Sequence, residues 1–438
     1  MSEWGEIELG LVSEIVMGQS PPGWTYNEDG IGMPLINGPV EYGKKHPTPV
    51  QWTSAPAKTC LPGDILFCVR GSTTGRINVS NDFYCIGRGV AAIRGKNGVA
   101  VTDFLEFVLR QLAVEVLEEA RGSGSTFPSV TGGRLASSKV LLPPLPQQRR
   151  IAAILTTLDE VIEATEKLVE KHQQIKAGLM HDLFTRGLWT RPELARGDHK
   201  GLPCEATAQE GQIRPTPEEA PGLYQGSKVG LVPKEWVVKP LDDYTQHDIT
   251  YGIVQAGPHV EGGIPYIRTG DMSGEELVRD EMLCTSSLIA ASYSRSQIRK
   301  GEIVCAIRAT VGKVLPVPQD LDGANLTQGT ARIAPNSQTH TGFLLWAIRC
   351  ARVQREISLT IKGTTFMEIT LGDLRKLPVA APKGFDEQAV IAAQLEGCES
   401  VIRETRTHLA KLRQQKHGLM HDLLTGRVRV EGLAESDQ

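Results

Sequence analysis

The six letters GLMHDL stand at Gly178–Leu183 and again at Gly418–Leu423, 240 positions apart. They close a longer echo: Gln147–Arg186 aligns with Glu387–Gly426 at that constant offset, without a gap, with 18 identities in 40 residues. A repeat this long is not a solenoid of short modules; it requires a duplicated domain, so whatever this chain folds once it must fold twice. The segments ahead of each helix correspond more loosely. LPGDILFCVRGSTTGR (Leu61–Arg76) resembles RKGEIVCAIRATVGK (Arg299–Lys313), GRGVAAI (Gly87–Ile93) matches TQGTARI (Thr327–Ile333), and GSTFPSVTGGRL (Gly124–Leu135) matches GTTFMEITLGDL (Gly363–Leu374). Trp4 and Trp236 each open a copy. The order is mixed domain, helix, mixed domain, helix.

Composition bounds the class. A chain of 438 residues with 40% hydrophobic and 22% charged residues is expected to divide into at least two domains with ordinary cores. The start MSEWGEIELG has no apolar stretch of a signal peptide, and no run of 18 apolar residues suggests a membrane span. Cys60, Cys68, Cys85, Cys204, Cys284, Cys305, Cys350 and Cys398 show no Cys-x-x-Cys spacing and read as buried thiols of a reducing cytoplasm, with no structural metal. A formal charge of −4 means that any nucleic-acid contact must come from local basic patches.

DILFCV and EIVCAI are apolar runs of strand length behind turn signals, and the stretches beginning VTDFLEF and TGFLLWA read as helices. The fold class is therefore α+β: residues 1–145 and 236–382 as two mixed domains, 146–186 and 383–426 as two long helices, 187–235 as a Gly/Pro/Glu-rich connector that packs in part on the helices, and 427–438 as a tail. In the first helix Ile151, Leu155, Leu158, Ile162, Thr165, Val169, Leu179 and Leu183 form a seam in alternating steps of four and three, widened by Ile154, Val161, Leu168 and Ile175. The second repeats the narrow seam with Ile391, Leu395, Cys398, Ile402, Thr405, Leu409, Leu412, Leu419 and Leu423. This spacing predicts a coiled-coil pair related by a pseudo-two-fold axis, with antiparallel helices if that axis crosses them. Thr165 and Thr405 are then expected to meet near it. About 38 residues at about 1.5 Å each give rods of roughly 57 Å.

The duplicated helix starts LPPLPQQRRIAAIL and KGFDEQAVIAAQL, the helix ends GLMHDLFTRG and GLMHDLLTGR, and the second opening GLVPKEWVVKPL resemble the specificity subunit of type I restriction–modification systems. Gln147-Gln148 stands where that family has Glu-Gln, and the connector is longer and more acidic than usual. The resemblance implies that each mixed domain is a target-recognition domain reading one half of a split DNA sequence. It implies antiparallel helices that fix the gap between the halves and dock two DNA adenine methyltransferase subunits, with restriction subunits joining that core. S-adenosylmethionine is then expected on the methyltransferase partners and no cofactor on this chain, which itself does no chemistry.

Enzymatic motifs do not contradict this. No Asp/Asn-Pro-Pro-Tyr/Phe motif occurs, and GVAAIRGKN (Gly89–Asn97) has five residues between its outer glycines and an Asn where a phosphate loop needs four and a Ser or Thr. His417 and His421 lie four apart, but Gly418 fills the place of the metalloprotease Glu and Ala177 stands opposite His417 in the first copy. The His181-Asp182 and His421-Asp422 pairs lie in helix ends with no nucleophile nearby, which favours capping or partner contact over acid–base work. The cations are better used on DNA, where Arg and Lys hold phosphates and Arg binds guanine. The candidates are Lys44, Lys45, Arg70, Thr74, Arg76, Arg88, Arg121 and Thr126 in the first copy, and Arg268, Arg308, Lys313, Arg332, Lys362 and Thr365 in the second. Ser125 and Thr364 sit in the same loops. Arg70/Arg308 and Arg76/Lys313 rank first because both copies carry them. The competing reading is a coiled-coil scaffold with protein-binding globular ends.

Overall fold

The computed structural model describes residues 4–122, 129–201, 209–361, 363 and 367–430, the side chains of 115–122 excepted. The chain forms two compact units, Met1–Lys167 with Thr407–Gln438, and Leu168–Arg406. Each contains one mixed domain and one stretch of paired long helix.

In the first unit, β1 (Ser13–Met17), β2 (Ile65–Cys68), β3 (Ile77–Val79) and β4 (Val90–Gly95) form an antiparallel sheet in the order β1-β4-β2-β3. Its register pairs Ile93 with both Ile15 and Ile65, and Ile65 with Val79. In the second unit, β5 (Thr250–Tyr251), β6 (Ile303–Ala306), β7 (Val314–Pro316) and β8 (Thr330–Ile333) repeat the order as β5-β8-β6-β7. Here Ile303 faces Ile333 and Pro316. The runs ILFC and IVCA are buried at every position, as expected of central strands covered on both faces. Behind each sheet lies a helix, α1 (Thr102–Gly122) in the first unit and α2 (Thr341–Arg349) in the second, the latter followed by α3 (Ala351–Thr360). Phe104 and Phe343 occupy matching core positions and are fully buried.

Each domain is closed by its own ends. Gly5–Glu8 pairs antiparallel with Lys139–Leu142, and Trp236–Pro240 with Pro378–Pro382, so the first strand of a copy is tied to the strand that leads into its long helix. At that helix start sits the motif glutamine. Gln148 accepts from the Val101 amide and donates to Val99 and Pro143 carbonyls; Gln388 accepts from the His340 amide and donates to Gln338 and Pro382 carbonyls. Both are nearly fully buried, and their amides satisfy backbone groups just ahead of the mixed-domain helix and of the long helix.

The long helices run Leu145–Arg186 and Phe385–Leu424. In the first unit Asp159 pairs with Lys416 and Glu166 with Arg413, 2.7 Å apart. In the second, Lys176 pairs with Glu399 at 2.6 Å, and the Leu188 amide donates to Glu387 at 2.9 Å. As one number rises the other falls, so the helices are antiparallel in both units. The seam is largely buried: Ile151, Leu155, Thr165 and Val169 on one helix, Ile391, Leu395, Ile402, Leu409, Leu412 and Leu423 on the other. Leu158, Ile162 and Leu179 are half-buried, and Leu419 is 37% exposed. Val161, Leu168 and Ile175 form an exposed stripe at heptad steps on the first helix, with no full counterpart on the second. The Thr165 and Thr405 hydroxyls each donate to a carbonyl one turn back, of Val161 and Val401.

The connector is more ordered than its composition predicts. Thr190 caps a short helix, Arg191–Arg196, and Tyr224–Ser227 forms a hairpin with Gly230–Pro233. Arg214 lies at the centre, fully buried, bonded to Glu193 at 2.7 and 3.1 Å, to Glu387 at 3.1 Å and to the Arg186 carbonyl at 3.2 Å. Burial alone would lower the pKa of this guanidinium; Glu387 and Glu193 override it and hold the group above its ordinary value. The segment is thus part of the second unit's core.

Candidate nucleic-acid interface

The loop after β2 enters a left-handed turn at Gly71 (φ 89°) and another at Gly75 (φ 89°); the loop after β6 does so at Ala309 (φ 59°) and Gly312 (φ 85°). Alanine pays about 1–2 kcal/mol for that conformation, and it does so at the residue beside Arg308. Two further segments meet each loop. The Val69 amide bonds the Gly89 carbonyl and Arg70 bridges Ser129; the Ile307 amide bonds Gly329 and Arg308 bridges Glu368. The same three-way junction therefore occurs at the same edge of both sheets. In the first unit it gathers Arg70, Arg76 and Arg88, all exposed. In the second it gathers Arg308 and Lys313, whose Nζ donates to the Ser273 carbonyl at 2.8 Å and so joins the Arg268–Ser273 turn.

The charges are not equally available. Arg308 is held by Glu368 at 3.2 Å, both about half exposed, and Arg268 by Asp271 at 2.6 Å. The Asp271 carboxylate keeps the Arg268 guanidinium above its usual pKa. Lys44 lies 4.0 Å from Glu166 on the first long helix, and Lys45 is exposed beside it. Two sequence-derived candidates turn inward. Arg332 forms a buried pair with Glu302 at 2.6 Å within the sheet, and Thr74 is buried with its hydroxyl on the Gly71 carbonyl. Both serve the fold instead of facing a ligand. The basic run Arg295–Lys313 is likewise divided, because Asp322 approaches Arg299 to 3.8 Å and Glu302 is taken by Arg332. Thr126, Lys362, Thr365, Ser125, Thr364 and Cys204, and the side chain of Arg121, lie outside the described residues.

Around the second-unit copy of GLMHDL, Leu183 is buried while Met180 and His181 line an open groove of about 1020 Å³ together with Lys176, Trp346, Arg349 and Arg352. Among the described residues no cluster of His, Cys, Asp or Glu is arranged to hold a metal ion, and no helix is long and apolar enough to cross a membrane. Burial pushes the Cys60 thiol up to about 11 and the Cys305 thiol up to about 12, so neither is a nucleophile at neutral pH. Cys284 and Cys398 are only half-buried.

Each unit thus holds one copy of a duplicated α+β domain, with an arginine at the same loop junction, beside antiparallel stretches of the long helices. The family follows from comparison: a model of the type I restriction modification DNA specificity domain matches residues 1–176 and 233–414, and the chain belongs to that family. It is 36% identical over 185 residues to the MjaX type I restriction enzyme specificity subunit of Methanocaldococcus jannaschii, a match spanning 42% of this chain and 43% of that protein's length. The MjaVIII specificity subunit of the same organism is 23% identical over 376 residues, 84% of this chain and 80% of that one. Among solved structures, the type I S subunit from M. genitalium superposes with a TM-score of 0.58 at 13% identity, covering 96% of both chains. A chain from a structural study of type I R-M complex assembly and conformational transition gives 0.56 at 19%, covering 97% and 98%. At these identities the structures confirm the fold.

Proposed function

We propose that this chain reads a two-part target in double-stranded DNA without itself catalysing a reaction. One half-sequence is read by each recognition domain, and the long helices hold the two readers at a fixed spacing. The observation that carries this reading is the three-way junction with its arginine, found at the same sheet edge in both copies while its neighbours differ, Ser129 in one and Glu368 in the other. A shared arginine suits phosphate, which is the same in every sequence; differing neighbours suit two different base sequences. Arg70, Arg76, Arg88 and Lys45 are the contacts in the first domain, and Arg308, Lys313 and Arg268 those in the second. Helices of 42 and 40 residues span about 60 Å at about 1.5 Å per residue, and Thr165 and Thr405 lie near their midpoints.

Two DNA adenine methyltransferase subunits, carrying S-adenosylmethionine, would dock on the exposed Val161/Leu168/Ile175 stripe and the helix ends, with restriction subunits added outside them. Footprinting of the chain with its methyltransferase on a genomic library tests the reading. Two short protected patches at a constant gap are expected; no protection, with capture of proteins alone, would favour a scaffold.

A further inference from the structure

Residues Thr102–Arg110 (TDFLEFVLR) and Thr341–Arg349 (TGFLLWAIR) are matched at an offset of 239, and their side chains build the same joint twice. In the first unit Phe107 is buried, with Lys416 Nζ 5.8 Å and Arg110 Cζ 5.5 Å from its ring centre. Asp159 accepts from both cations, 3.2 Å from Arg110. In the second, Trp346 is buried, with Lys176 Nζ at 5.5 Å and Arg349 Cζ at 4.9 Å, and Glu399 takes Lys176 at 2.6 Å. Lys176/Lys416 and Asp159/Glu399 are each 240 positions apart. In both copies the lysine and the acid come from opposite long helices, and the aromatic and the arginine come from the recognition domain.

We propose that these two joints position each recognition domain on its helix pair and thereby set the tolerance of the spacer; the proposal rests on the two-headed DNA reading above. A cation over an aromatic face is attracted by the ring quadrupole, and a carboxylate from the opposite helix fixes where the lysine sits; Asp159 holds Arg110 as well, while Arg349 is held by the Val314 carbonyl. The joint thus links three elements at one point, while the buried glutamine ties the domain to the start of one long helix at another. Two points of attachment prevent a hinge; removal of one allows rocking. A domain of about 140 residues has a radius of gyration near 14 Å, so a tilt of about 13° moves its contacts by roughly 3.4 Å, one base-pair step. Lys176, Lys416, Asp159 and Glu399 are positioning residues, since none lies at the proposed DNA junctions.

The test is methylome sequencing of a host lacking this gene and supplied with the whole methyltransferase complex, carrying wild-type chain or Lys176→Met, Lys416→Met or both. The expected result is unchanged half-sequences with the single wild-type spacer broadened by one base pair on either side, the new classes holding at least a tenth of methylated sites in the double variant. Lys176→Arg/Lys416→Arg should restore one spacer. A single spacer with uniformly lower methylation would mean that the joints only stabilise the fold, and altered half-sequences would mean that they touch DNA; either overturns the proposal. Should the methionine variants abolish methylation, Glu399→Gln with Asp159→Asn, which keeps the packing atoms, decides it: one unbroadened spacer there also refutes it. A wild-type complex with no split motif would instead overturn the parent reading.

Discussion

Arg214→Met replaces a fully buried guanidinium by an apolar chain of similar length and leaves Glu193 and Glu387 buried without their cation. Breaking a buried pair by removing one partner costs about 3–5 kcal/mol, because the remaining charge is desolvated and unpaired. Glu387 also accepts from the Leu188 amide and the Trp236 indole, and Glu193 from the Thr190 amide and hydroxyl, so part of the hydrogen bonding of each survives. For a unit of this size each kcal/mol moves the midpoint by about 2–4 °C, so the loss corresponds to about 6–20 °C in calorimetry. A triple variant, Arg214→Met with Glu193→Gln and Glu387→Gln, removes the charges together and should recover more than half of the loss. A shift below about 3 °C in the single variant, or a triple variant no better than the single, would refute the view that this ion cluster holds the connector.

Trp346→Phe should cost less than about 1 kcal/mol in urea denaturation, because the lost area is offset by removing a buried indole N–H that meets no acceptor, and Phe107 fills the same role in the first copy; Trp346→Ala should cost about 3–5 kcal/mol. Alkaline stability follows from the thiols. Cys60 and Cys305 have folded values raised to about 11 and about 12, so their contribution is intact below the ordinary thiol value of 9.0 and is lost as pH rises from there through 11 and 12. Denaturation midpoints that fall steadily between pH 6 and 8.5 would contradict this, as would rapid labelling of either thiol, in place of Cys284 and Cys398, by a thiol reagent on the native protein.

The long helices were legible because a seam repeating in steps of three and four is written directly in residue types, and duplication doubled the signal. Symmetry left the sense of the pair open, the family resemblance implied antiparallel, and the pairs Asp159–Lys416 and Lys176–Glu399 bear that out. What the sequence concealed depends on partners distant in the chain. Arg332 lies in a strand whose neighbours Ala331 and Ile333 are buried, and only the tertiary approach of Glu302 shows that it points away from solvent. Arg295–Lys313 looks like one basic patch because its counter-charges arrive from Asp322 and Glu368, outside the run. The joint aromatics were readable in principle: TDFLEFVLR and TGFLLWAIR align by eye, but at an offset one short of that of the long helices. Composition marked 187–235 only as a connector packed in part on the helices, since nothing in a Gly/Pro/Glu-rich run sets Arg214 apart from Arg191 and Arg196 until the chain folds back on Glu387.

The same arginine explains where the internal symmetry is broken. Gln147 and Glu387 occupy equivalent positions at the two helix starts, and the family resemblance favours Glu at both. Glu387 is buried against Arg214, which the connector supplies because the chain continues past the first long helix. At the first helix start the Gln147 Oε1 is buried and meets no donor among the described residues, and Arg150 gives its guanidinium to the Val430 carbonyl. A carboxylate there would place charge on a buried oxygen that meets no donor, whereas the neutral amide bears only an unmet hydrogen bond. Gln147→Glu should accordingly destabilise the first unit by about 1–3 kcal/mol at pH 7. An unpaired buried acid has a raised pKa, so the penalty should fade as pH drops and the group protonates. Equal stability of the variant and the parent at pH 7, or a deficit that persists at pH 4, would show that position 147 tolerates charge and that the asymmetry has another cause.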